Sequence, residues 1–149
     1  MPDHFTEADI VRIGRGVRDL TLPKPEWTHA AHFACALWVL TQPGLDAARD
    51  MPGLIRAYNV ATGVANTDTE GYHETITQAS IRAARHWLAQ RRGAALSAVL
   101  AELLASPHGR SDWLLRHWSR EVLFSVLARR QWVAPNLAPL PFRSNARSG

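Results

Sequence analysis

The chain reads as an all-α protein: a compact bundle of about six helices followed by an extended, proline-rich C-terminal tail. Apolar residues recur at three-and-four spacing through most of its 149 residues. No segment alternates apolar and polar side chains as a half-buried strand does. Proline and glycine fall between the periodic stretches, at Pro23, Pro25, Pro43, Gly44, Gly63, Gly93 and Pro107, where they separate elements.

The first helix is expected from Thr6 to Asp19. Thr6 is its N-cap, Asp9 stands three residues on, and Ile10, Ile13, Val17 and Leu20 form its stripe, with Gly14 and Gly16 as weak points. Leu22-Pro-Lys-Pro25 breaks the chain. The second helix begins near Glu26 to Thr28 and runs to about Thr41. It is apolar on nearly every side after His32, as a central helix is. The third covers about Asp46 to Thr62, with a break or restart expected at Met51-Pro-Gly53 and an inner face of Leu54, Ile55, Tyr58 and Ala61. Thr67 and Glu70 fit a capping box for a fourth helix from about Asp68 to Gln90, with Tyr72, Ile76, Ala79, Ala83 and Trp87 on its apolar side. The fifth spans Ala94 to Ala105, and Trp113 to about Gln131 reads as the sixth. The tail from Val133 to Phe142 is expected to lie over the bundle through Leu137, Leu140 and Phe142. Residues 1–142 thus form one domain, and Arg143 to Gly149 reads as a disordered tail.

The first residues carry neither the basic start nor the apolar stretch of a secretory signal, and no apolar run approaches the roughly 20 residues that span a bilayer. A cytoplasmic protein without membrane contact is the expectation. The single cysteine, Cys35, excludes an internal disulfide and has the apolar neighbours of a core residue. Net charge is +4 and the isoelectric point about 10.2. The arginines are spread through every expected helix among acids, which disfavours a nucleic-acid partner.

Chemistry concentrates in three of the seven histidines. His29 and His32, three apart in an apolar segment, share one helix face. A buried imidazole without partners costs about 1 to 3 kcal/mol, so polar groups or a metal must meet the pair. His73 lies in Thr67-Asp-Thr-Glu-Gly-Tyr-His-Glu-Thr-Ile-Thr77, where Glu70, His73, Glu74 and Thr77 fall on one strip of the expected fourth helix.

Three nitrogens from His29, His32 and His73 make a metal site with an open position for water. A divalent ion, zinc or iron, suits that set. Glu74 or Glu70 supplies an acid/base group or a further ligand, while Tyr58, Asn59 and Tyr72 are candidates for cofactor or network contacts. Glu26-x-x-His29 and Glu70-x-x-His73, with Glu102 and Glu121, also match the count of a di-iron bundle better than its geometry. The bland alternative is a hydrogen-bond network that only fixes packing.

At Trp27-Thr-His-Ala-Ala-His-Phe33 and Gly71-Tyr-His-Glu-Thr-Ile-Thr77 the chain resembles a family of small, uncharacterised bacterial proteins. Their pattern is aromatic-x-His-x-x-His-Leu, followed some forty residues later by Tyr-His-x-Thr-Ile/Leu-Thr. Phe33 stands at the usual leucine. The resemblance covers roughly Leu22 to Trp87, implies that the three histidines act as one unit, and implies no reaction.

The leading expectation is a metal-dependent enzyme acting on a small-molecule substrate. The competing one is a non-catalytic binding or homo-oligomerisation module whose histidines form a structural network. Proton transfer by His and Glu without a metal is a third.

Overall fold

The computed structural model describes residues 5–142, which form seven α-helices and no strand. The tail from residue 143 on, expected to be disordered, lies outside the described residues. None of the described helices is long and apolar enough to cross a membrane.

Helix α1 (Glu7–Arg18) starts on the capping box read from the sequence. Thr6 Oγ1 accepts from the Asp9 amide at 3.0 Å, and the Asp9 carboxylate accepts from the Thr6 amide at 2.9 Å. The helix glycines are there for contact. A Cβ on Gly14 would stand 2.2 Å from Cδ2 of Trp38, so its absence lets α1 close on α2 (His29–Leu40).

Eight of the twelve residues of α2 are buried, and α1, α3 (Ala47–Ala61), α4 (Glu74–Gln90) and α5 (Leu96–Ala105) all pack on it. Cys35 lies in its sealed half, where burial pushes the thiol pKa up to about 12, as an inert core residue requires. Glu26 belongs to a separate 3-10 turn, Lys24–Glu26, so the helix begins later than expected and the Glu26-x-x-His29 spacing is not helical.

Helix α3 runs straight through Pro52, where a break was expected. Proline leaves the carbonyl four residues back without its helical donor, and here that carbonyl belongs to Ala48. Gln78 of α4 replaces the missing amide, Nε2 donating to Ala48 O at 3.0 Å. Of the expected inner face, Ile55 and Tyr58 are buried and Ala61 is exposed.

The single sixth helix expected over Trp113–Gln131 is instead three pieces: a 3-10 turn at Trp113–Arg116, α6 (Arg120–Leu123) and α7 (Val126–Arg130). Ser119 and Ser125 interrupt it, each accepting from the amide three residues on and so opening a new turn. Phe124 and Val126 are exposed. The tail lies along the bundle and buries Phe142, whereas Leu137 stands 58% exposed.

Gln78→Leu is expected to cost about 1–3 kcal/mol in urea unfolding, because it orphans a buried carbonyl. In a Pro52→Ala background the loss should shrink, since the restored amide serves Ala48 O. Equal losses in both backgrounds would count against this pairing.

Candidate functional site

The first turn of α2 presents His29 and His32 on one face, as the spacing requires. Thr28 caps the helix, its Oγ1 accepting from the Ala31 amide at 3.2 Å. His32 Nδ1 donates to Thr28 O at 2.7 Å, which fixes the tautomer and leaves Nε2 as an acceptor with no hydrogen bond among the described residues. Trp27 stacks on the ring with centroids 3.7 Å apart. Burial pushes the His32 pKa down to about 4, outweighing the bond to Thr28 O that favours the proton. His29 bonds through Nε2 to the carbonyl of His108 at 2.9 Å. That carbonyl belongs to a 3-10 turn, Pro107–Gly109, whose His108 ring accepts from Trp87 Nε1 at 3.3 Å.

His73 is the N-cap of α4, not a residue inside it. The Thr67–Glu70 capping box therefore does not form. Thr67 N instead donates to Glu70 O, and Glu70 is an exposed loop residue. The cause lies just before His73. Gly71 has φ +82°, with Ala65 O only 2.2 Å from where a Cβ would be, and Asn66 Oδ1 accepts from both Asn59 Nδ2 and Tyr72 N at 3.0 Å. These bonds hold the chain in a loop until His73. There Nδ1 accepts from the Ile76 amide at 3.2 Å while Nε2 donates to Leu123 O at 2.7 Å. This pattern needs the neutral ring, and burial lowers the His73 pKa accordingly. The strip of Glu70, His73, Glu74 and Thr77 on one helix face is thus corrected: Glu70 and His73 precede the helix.

The remaining sequence candidates hold structure. Tyr58 Oη donates to Leu22 O at 2.8 Å in the core. Glu74 accepts from the Tyr72 hydroxyl and from Gln78 Nε2, and Arg56 lies 4.5 Å over the Tyr72 ring. None of Tyr58, Asn59, Glu70, Tyr72 and Glu74 reaches the space in front of the histidine pair.

That space is a cavity of about 450 Å³, within the range of small-molecule sites. His29, His32 and Phe33 form one wall, Ile76 and Ser80 of α4 a second, and segment 111–124 the third, through Trp113, Leu114, Leu115, Leu123 and Phe124. Ser111, Asp112 and Arg120 add polar groups from the same segment. The third wall escaped the sequence reading, although Ser119 and Ser125 before short apolar runs carry the N-cap signal of a broken helix. His73 does not line the cavity. It fastens two residues that do, Ile76 through its amide and Leu123 through its carbonyl.

The three histidines accordingly do not converge on one point. Both nitrogens of His73 are committed to backbone groups, and no set of three or more His, Cys, Asp or Glu side chains among the described residues is arranged to hold a metal ion. A three-histidine centre would require His73 to release both bonds. The di-iron count fails likewise: Glu102 pairs with Arg91 and Glu121 is exposed. What the arrangement offers chemically is a mainly apolar chamber with imidazole acceptors on one side.

Two measurements follow from these bonds. His73→Ala should cost about 1–3 kcal/mol in chemical denaturation, and His73→Asn should recover only part of it, restoring the cap but not the tie to Leu123. Because the His32 pKa falls from 6.5 unfolded to about 4 folded, and His73 shifts the same way, the unfolded chain takes up protons first on acidification. Stability is then full above pH about 6.5 and declines towards pH about 4. The melting temperature should follow that course, with a shallower slope in His32→Asn; an unchanged slope would mean that His32 protonates freely in the fold.

Compared with known protein families, characterised proteins and solved structures, the chain matches none.

Proposed function

We propose that the protein is a helical binding module for a small, mainly apolar organic molecule that carries a hydrogen-bond donor. The observation behind this reading is the cavity itself, in which Phe33, Ile76, Leu114 and Leu123 surround a space bordered by His32. The fixed His32 tautomer turns an acceptor rather than a donor to any ligand.

Binding is favoured over catalysis by the same ring. Burial holds the His32 pKa down to about 4, so the ring is neutral at pH 7 and a weak base. A general base works best with a pKa near the working pH, so His32 suits accepting a hydrogen bond more than removing a proton. Glu74 and Glu70, the acids proposed from the sequence, lie away from the cavity.

The probes are 2-naphthol and naphthalene, which differ by one hydroxyl. Calorimetric titration should give saturable binding of both, with 2-naphthol about tenfold tighter, the equivalent of about 1.4 kcal/mol for one hydrogen bond. His32→Phe keeps the stack on Trp27 and should erase the preference. No saturable binding of either probe would overturn the reading. A zinc titration tests the competing metal proposal: if zinc raises the melting temperature of the wild type but not of His29→Ala/His32→Ala, the metal-dependent function returns in place of this one.

A further inference from the structure

We infer that a second, separate groove, between α4 and the C-terminal strap of residues 132–140, is an anion site that takes the carboxylate of an amphiphilic organic acid on Arg82. The groove has a volume of about 430 Å³ and shares no lining residue with the histidine cavity. Among the described residues its one charged group is Arg82, and its walls are Trp132, Pro135, Leu137, Pro139 and Leu140.

Arg82 is held in place, and no carboxylate among the described residues pairs with it. Its Cζ lies 4.0 Å over the Trp132 ring, and Trp132 in turn meets Trp118 edge-on at 5.7 Å. Its Nε is buried without a hydrogen bond. Six other arginines, at positions 12, 18, 49, 91, 110 and 130, are each paired with a carboxylate, whereas among the described residues no carboxylate lines this groove. A guanidinium fixed on an aromatic face at the floor of a groove lacks only its anion.

The strap is anchored before any ligand arrives. Thr75 Oγ1 donates to Gln131 O at 2.8 Å and accepts from the Val133 amide at 3.1 Å. Trp118 Nε1 donates to Val133 O at 2.9 Å, and Leu137 N to His117 O at 2.9 Å. Asn136, the other polar side chain of the groove, is spent on Ser119, accepting from its amide at 2.9 Å and donating to its hydroxyl at 3.2 Å. One cation with no second donor fits a monoanion better than a phosphate dianion, and a carboxylate matches the guanidinium fork. The exposed Leu137 and Pro139 beside it accommodate an apolar body.

The test is titration of isotope-labelled protein with octanoate, 1-octanol and inorganic phosphate, read by NMR at the Arg82 Nε–H and the Trp132 indole. Octanoate should give saturable shifts at both groups, with octanol and phosphate at least tenfold weaker. Arg82→Gln should abolish the octanoate response, Leu137→Ser should weaken it, and His32→Phe should leave it unchanged. Absence of saturation, equal binding of octanol, equal binding of phosphate, or an octanoate response that survives both strap-groove variants would overturn the assignment. If Arg82→Gln does not fold, Leu137→Ser and the three-ligand comparison on the wild type decide alone. Loss of naphthol binding at the histidine cavity would leave this result unaffected, so the two sites fail independently.

Discussion

Backbone groups that no helix satisfies govern how this molecule is assembled. Between Ala105 and Gln131 the chain advances in single turns, and short turns leave more carbonyls and amides unpaired than long helices do. Those groups need partners once they are covered. Side chains at the starts of the regular helices supply them: His29 of α2 to the carbonyl of His108, His73, the cap of α4, to that of Leu123, and Thr75 of α4 to that of Gln131. The irregular C-terminal third is thereby attached to α2 and α4 at defined points. The cavity is the space left between those attachments.

His73 is the most constrained member of this set. One nitrogen serves as the cap of α4 and the other reaches across to α6, so the ring joins the two elements. Arg129 reinforces the joint from α7, donating to Gly71 O at 3.0 Å and to Tyr72 O at 3.3 Å. Protonation of Nδ1 would put an N–H against the Ile76 N–H, and metal ligation would consume a lone pair or a proton already in use. Burial and the nearby Arg129 guanidinium both favour the neutral ring. The positive end of the helix dipole disfavours a cation at this helix start and favours a neutral imidazole acceptor.

What was legible in the sequence is what short-range rules govern. Helical periodicity gave the all-α class, the Thr6–Asp9 box fixed the start of α1, and the all-round apolar character of α2 correctly marked it as central. The shared face of His29 and His32 follows from spacing alone. The errors arose where a local pattern met a longer-range bond. Thr67 and Glu70 satisfy the capping-box pattern, yet Asn66 and Gly71 hold that segment in a loop. Pro52 signals a break, yet Gln78, 26 positions later in sequence, supplies the donor that lets the helix continue. The partners of the three histidines are backbone carbonyls 79, 4 and 50 residues away, and no motif encodes a carbonyl.

The position of the cavity follows from the same competition. Along most of α2 apolar side chains pack on four neighbouring helices and leave no room for a polar group. At its first turn the irregular segment 111–124 becomes the covering layer, tied to the regular part by carbonyl bonds from His29 and His73. A wall held at a few points can leave a chamber where interdigitated helices cannot. Histidine suits such a border because one nitrogen can fix the wall while the other remains available to the chamber. Burial keeps the His32 ring neutral, so its Nε2, which has no hydrogen bond among the described residues, is an acceptor.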